Sequence, residues 1–294
     1  MGTLAVLQFT SDSGRRMWAF WNVVAPSLNV PDNYADYRAA VGVTFPISAK
    51  PDTNVSREDL LRRVYRNYYD GTRYDLSSGP AAGPHGTPVR YKPGAGEASV
   101  AGACGVLGPC SHWERPIASF RSTNVHVTNV KSTTDAVLWF VPYAALPSVF
   151  IPAIVGSAQV PTALQDAHNT YLDRSKAFWV YKELAQFAYP RWNLVKERIT
   201  AVAAQLEGTA EKLVESWIGQ SPQGAADVLD AHANKTVQLW QHLYSELVIQ
   251  YSDGFQYDTK RFDTTNVGYP NWWLNEVGYL NGTASPCKTA TGTC

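Results

Sequence analysis

The sequence predicts an α+β fold, on three observations. The order along the chain runs from mixed to strand-like to helical, helical periodicity dominates after Pro161, and no internal repeat is present. Runs of strands followed by runs of helices belong to that class. The 294 residues, 45% of them apolar, suffice for one large domain with a substantial core. They divide into a mixed and β portion (1–160), a helical portion (161–251) and an aromatic tail (252–294). Disorder is excluded because the chain is neither charge-rich nor poor in apolar groups.

The elements follow in order. Thr3 to Leu7 reads as a strand. Gly14 to Pro26 is crowded with Met17, Trp18, Phe20, Trp21, Val23 and Val24, and Pro26 and Pro31 break it. Ser56 with Asp59 three residues on forms a capping arrangement, and Leu60, Leu61, Val64, Tyr65 and Tyr68 continue at helical spacing until Gly71. Residues 76–111 are rich in Gly, Pro, Ser and Ala without apolar period, which predicts a long loop. Strand character returns at Ile117 and continues through Phe120, Val125, Val127 and Val130. Ala136–Val141 and Ser148–Ile151 read as short buried strands. A helix is expected over Ser175 to about Gln205, interrupted at Pro190, with further helices over Thr209–Trp217 and Ala225–Tyr251.

Composition bounds function. With 25 basic and 25 acidic residues the chain lacks the basic excess of a phosphate-binding surface, so nucleic acid is not the expected partner. The most apolar stretch, Ala136–Val155, is interrupted by Pro142, Pro147 and Pro152 and fits strands and turns, so no membrane span is expected. The start lacks the basic region and cleavage site of a signal peptide. Four cysteines form two local pairs, Cys104 with Cys110 and Cys287 with Cys294, read either as loop-clipping disulfides or as free thiols. Sequons at Asn54, Asn234 and Asn281 favour the oxidising alternative. The expectation is a secretory-pathway protein, extracellular or lysosomal/vacuolar.

Single motifs carry little chemistry. His85, His112, His126, His168, His232 and His242 are scattered, with no zinc-peptidase spacing, and no metal site is expected. No Gly-x-Ser-x-Gly elbow and no lysine-bearing phosphate loop occurs. Asp166, Asp173, Glu183 and Glu197 lie on or near helices and read as solvated or capping groups rather than a glycosidase pair. The ten tryptophans read mainly as core, with adjacent Trp272 and Trp273 split between inside and outside.

Longer blocks say more. Gly71-Thr72-Arg73-Tyr74-Asp75-Leu76, followed by Gly79-Pro80-Ala81-Ala82-Gly83-Pro84-His85-Gly86-Thr87-Pro88-Val89-Arg90, resembles a block of the PepD-type dipeptidases, cysteine peptidases of the N-terminal-nucleophile class related to the secernins. Arg16-Met17-Trp18, Ala25-Pro26-Ser27-Leu28, Lys50-Pro51-Asp52, Glu114-Arg115-Pro116-Ile117, Phe120-Arg121-Ser122, Leu138-Trp139-Phe140 and Ser175-Lys176-Ala177-Phe178-Trp179 follow the family's order. The resemblance spans roughly residues 14–200, and the tail block Gly268-Tyr269-Pro270-Asn271-Trp272-Trp273-Leu274 is similar to that of longer eukaryotic members. It implies an αββα sandwich and hydrolysis of dipeptides without metal or cofactor. In such enzymes a first-residue cysteine thiol attacks the carbonyl, and its α-amine, with a pKa near 8, serves as base.

This sequence departs from that pattern. It begins Met1-Gly2-Thr3, no cysteine lies near its start, and Val141-Pro142-Tyr143 stands where the family often has Gly-Pro-Asp after Trp-Phe. The expectation is a later portion of the enzyme with no catalytic residue of its own, inactive alone, whose partners are a dipeptide and the missing N-terminal half. The alternative is a non-catalytic binding or scaffold protein that keeps part of the fold. Arg121 and Asn124 are the candidate contacts for substrate or oxyanion, since related amidases use an arginine or asparagine there.

Overall fold

The computed structural model describes residues 11–32, 46, 48–91, 115–130, 136–167, 170–217 and 221–279. Helix α1 (Ser11–Val24) buries Trp18, Ala19, Trp21 and Val24 along one face. It ends where Pro26 offers no N–H, in the short 3₁₀ turn Pro26–Leu28. Asp52 accepts from the Ser27 amide at 2.7 Å and the Ser27 hydroxyl at 2.5 Å, tying the next segment to that turn.

The expected cap at Ser56 is present. The Ser56 hydroxyl accepts from the Asp59 amide at 3.1 Å, and the Asp59 carboxylate accepts from the Ser56 amide at 3.0 Å, so each satisfies the other's free donor. The helix that follows is shorter and wider than the periodicity predicts: a π-helix over Asp59–Val64, closed by the Tyr65 amide on the Leu60 carbonyl. It stops before Tyr68, and the turn that follows carries Arg66 inward to Glu207.

Three antiparallel strands form one sheet in the order β1 (Val125–Val130), β2 (Ala136–Val141), β3 (Ile151–Ile154). In β2, Val137, Trp139 and Val141 are buried in alternation. Pro152 on β3 faces Trp139 of β2, and among the described residues β3 pairs with β2 alone, an edge position that tolerates a missing N–H. The third strand begins three residues later than the Ser148 expected from sequence. Phe150 cannot join the ladder with its N–H, because that group donates to Glu207 at 3.0 Å.

Helices α2 (Ala177–Ala188), α3 (Trp192–Trp217) and α4 (Pro222–Gln250) cover the sheet, with α3 and α4 against β3. Pro190 separates α2 from α3 through a 3₁₀ turn, Tyr189–Arg191, as the sequence predicts. The expected break before Thr209 is absent, and α3 runs through Gly208 without interruption. Its buried stripe, Trp192, Val195, Ile199, Ala203, Leu206, Ala210 and Val214, recurs every three or four residues and outweighs the propensity of one glycine. In α4 the Ser221 hydroxyl caps the Gly224 amide at 3.2 Å and Pro222 opens the first turn. The tail forms a hairpin, β4 (Phe255–Asp258) with β5 (Asp263–Asn266), then helix α5 (Asn271–Glu276). Trp18, Trp21, Trp139, Trp192 and Trp240 are buried, whereas Trp272 is exposed and crosses half-buried Trp273 edge-on at 5.7 Å.

The architecture is therefore α+β, a three-stranded sheet under a helical layer. The second sheet of an αββα sandwich is not among the described residues. Thr3–Leu7 lies outside them as well.

One buried ion pair joins these parts. Arg66 donates to the two carboxylate oxygens of Glu207 at 3.2 and 2.5 Å, and to the carbonyls of Ala145 at 3.2 Å and Ser148 at 2.7 Å. Glu207 is 2% exposed and also accepts from the Phe150 amide. Replacing Glu207 by Gln would leave a buried guanidinium without its counter-charge. The expected loss is about 3–5 kcal/mol, read as a lower urea midpoint with unchanged slope.

Candidate functional site

The block Gly71–Arg90 is built of turns held by its own side chains. Asp75 accepts from the Ser77 amide at 2.8 Å, the Ser77 hydroxyl at 2.7 Å and the Gly71 amide at 3.3 Å. Arg90 donates to the carbonyls of Thr87 at 2.8 Å, Val89 at 3.0 Å and Leu76 at 2.7 Å, closing the loop on itself. Just before the block, Tyr69 adopts φ +66° while 1% exposed, a conformation unusual for a bulky side chain. Its hydroxyl donates to the Arg115 carbonyl at 2.9 Å and its amide to Asn67 Oδ1 at 3.0 Å. Such strain persists only where surrounding contacts over-determine it, and it concentrates at functional sites.

The block docks on the first turn of α3. The Asn193 amide donates to the His85 carbonyl at 3.0 Å, and Asn193 Nδ2 donates to the Ser77 carbonyl at 3.2 Å. Gly86 permits this approach. Its φ is +74°, and a Cβ there would lie 1.9 Å from Asn193 Nδ2 and 2.8 Å from the Ser77 carbonyl.

Between the block, the π-helix and α3 opens a cleft of about 700 Å³, within the size range of small-molecule sites. Arg62, Arg66, Tyr68, Asp70 and Asp75 line one side, and Trp192, Lys196, Glu197 and Thr200 of α3 line the other. Tyr68 meets Trp192 edge-on at 6.1 Å and forms an aromatic wall. The cleft carries both signs of charge. Among the described residues Arg62, Asp70, Lys196 and Glu197 have no ion-pair partner, unlike Arg66. Asp70 is exposed at the rim of the cleft, yet desolvation by the surrounding walls is the largest influence on its carboxyl and raises it above the usual range. The Asp75 charge adds to the rise and Lys196 opposes it. Burial likewise raises the Tyr68 hydroxyl.

The residues expected from sequence to touch substrate lie elsewhere. Arg121 is exposed with its guanidinium 5.6 Å over the Phe120 ring, and Asn124 is exposed beside the Thr123 hydroxyl at 3.5 Å. Neither lines the cleft. Cys104, Cys110, Cys287, Cys294 and Asn281 lie outside the described residues. Asn54 is exposed. Asn234 sits inside α4, where its amide nitrogen donates to Asp230 at 3.0 Å and Thr162 at 3.3 Å, and Thr236 of its sequon is fully buried. A glycan on Asn234 would have to displace those bonds. Among the described residues no group of three His, Cys, Asp or Glu is placed to hold a metal ion, and no helix is long and apolar enough to cross a membrane. Asp70 and Lys196 went unremarked in the sequence. Asp70 had one signal, its place beside the Gly71 block, and Lys196 had none beyond its helix.

The family model for peptidase family C69 matches residues 12–205, about two thirds of the chain. The chain belongs to peptidase family C69. No curated protein matches it. The C69 portion contains every residue that lines the cleft, from Arg62 to Ala204, whereas all of α4 and the hairpin lie beyond it. Membership assigns peptides as the substrate class.

Two outcomes follow. Gly86→Ala should push the glycine block off α3, lowering the thermal midpoint and raising protease sensitivity between residues 71 and 90. Asp70→Asn should stabilise the fold at neutral pH. Because the folded-state pKa of Asp70 lies above the unfolded value, ionised Asp70 disfavours the native state as pH rises through that range. The gain should vanish below a pH of about 4, where both states are protonated. Chemical denaturation of both proteins at pH 3.5 and 7 measures it.

Proposed function

We propose that the chain supplies the substrate-holding part of a cysteine-type dipeptidase, with the dipeptide seated in the cleft between the glycine block and α3. One observation carries this reading: within the C69 portion, a single cleft presents Asp70 and Glu197 together with Arg62 and Lys196, all without ion-pair partners among the described residues. A free dipeptide is a compact zwitterion, and its ammonium and carboxylate need opposite charges a short distance apart. Asp70 suits the ammonium, and Lys196 with Arg62 suits the carboxylate. Tyr68 and Trp192 offer an apolar wall for a side chain.

The chemistry of the class is attack by a cysteine thiol whose proton passes to its own α-amine and from there to the leaving amine. An acyl-enzyme forms, the amine product leaves, and water releases the acid. Cys104, Cys110, Cys287 and Cys294 each carry a peptide bond on their nitrogen in this 294-residue chain, so none offers a free α-amine. On this reading the nucleophile is none of these four cysteines, and the 294 residues bind a dipeptide without turning it over. Arg121 and Asn124 lie outside the cleft. A secretory location belongs to the same proposal, supported by the paired cysteines and the exposed sequon at Asn54.

Calorimetric titration of the purified chain with Ala-Ala and Leu-Ala tests the reading. Binding is expected, weakened about tenfold by Lys196→Ala through loss of a charge-assisted hydrogen bond, with no hydrolysis above the buffer rate. Absence of binding would sink the site. Hydrolysis by the intact chain would overturn the assignment of the nucleophile elsewhere. Binding of an unrelated protein but no dipeptide would favour a scaffold.

A further inference from the structure

A second cavity, of about 370 Å³, lies on the His85 side of the glycine block. Its floor is Arg191, in the 3₁₀ turn between α2 and α3, and its wall is His85. Leu194 of α3 adds to it from within the C69 match, and the rest comes from beyond that match: Tyr251 at the end of α4, Asp253–Phe255 at the entry to β4, and Asn266–Tyr269 from the end of β5 onward. The cavity thus exists only because the tail hairpin closes on the peptidase portion.

Arg191 is the informative residue. It is half-buried, its guanidinium lies 4.1 Å over the Phe187 ring, and one nitrogen donates to the Phe187 carbonyl at 2.5 Å. Among the described residues no carboxylate comes within ion-pair distance of it, although Asp253 lies on the same rim. A guanidinium partly removed from water and left without a counter-charge is unfavourable unless an anion completes it. Burial lowers its affinity for protons, and burial, then the Arg191 charge, holds His85 below the usual imidazole range. Neutral His85 stacks on Tyr269 at 5.8 Å with the rings 26° from parallel, and Tyr269 is otherwise 60% exposed. The wall of the cavity is therefore flat and aromatic, and its floor is cationic.

We propose that this cavity is a second binding site, separate from the dipeptide cleft, for a small carboxylate that carries a flat ring. The carboxylate meets Arg191 and the ring lies along the His85–Tyr269 face. The volume accommodates a single-ring ligand and sits at the lower end of known small-molecule sites.

Benzoate is the probe, titrated calorimetrically into the purified 294-residue chain beside benzamide, cyclohexanecarboxylate and inorganic phosphate. Benzoate should bind, and benzamide should bind about tenfold more weakly for want of charge. Cyclohexanecarboxylate should be about threefold weaker for want of a ring that stacks. Arg191→Met should weaken benzoate about tenfold. Tyr269→Ala, at an exposed position where folding is not at risk, should weaken it about threefold with unchanged far-ultraviolet circular dichroism. Lys196→Ala should leave benzoate binding as it was. The proposal is overturned if benzoate does not bind, if benzamide or phosphate binds as tightly, or if Lys196→Ala abolishes the signal and so places the ligand in the other cleft.

Discussion

Glu207 is 2% exposed in the middle of α3, where an ionised carboxylate has almost no water to solvate it. Arg66 answers it with two hydrogen bonds and directs two further donors to the carbonyls of Ala145 and Ser148. Glu207 in turn takes the Phe150 amide. Three separate stretches are locked by this one constellation: the turn after the π-helix, the segment before β3, and the long helix. Its geometry also bears on two local features. The helix after Ser56 ends at Val64, and the turn that follows carries Arg66 inward to Glu207. The third strand starts late because the Phe150 N–H is already committed.

The cleft depends on the same arrangement. Arg66 lines it while engaged with Glu207, so the pair holds the π-helix side at a set distance from α3. The opposite end is set by Gly86 and Asn193, whose close approach fixes the glycine block against the first turn of α3. Lys196 stands three residues further along that helix, facing Asp70 from the other wall of the cleft. A peptidase-family portion that ends near residue 205 thus contains its cleft whole, while the helix and hairpin that follow build a second cavity on its far side.

Much of the local structure was legible. The Ser56–Asp59 cap, the break at Pro190 and the strand over Ala136–Val141 each depend on neighbours within a few residues, and each appears where expected. Less was legible where partners are distant. The sequence placed a break between about Gln205 and Thr209 in a helix that tertiary packing carries straight through. Arg121 and Asn124 were chosen by residue type in a strand region; both face solvent and lie outside the cleft. Asp70 and Lys196 lie 126 positions apart, beyond the reach of any periodicity.

By itself the sequence determined the α+β class, the family and the glycine block, because these rest on short-range pattern and on ordered blocks read along the chain. Only the tertiary structure decided which charges share a cleft, which arginine is paired and which is left over, and where the tail closes. Arg66 and Arg191 look alike in sequence. Arg66 meets a buried carboxylate from another helix, and Arg191 meets a carbonyl and an aromatic face but no counter-charge. That difference arises from packing at long range, where the balance between desolvation and pairing is set.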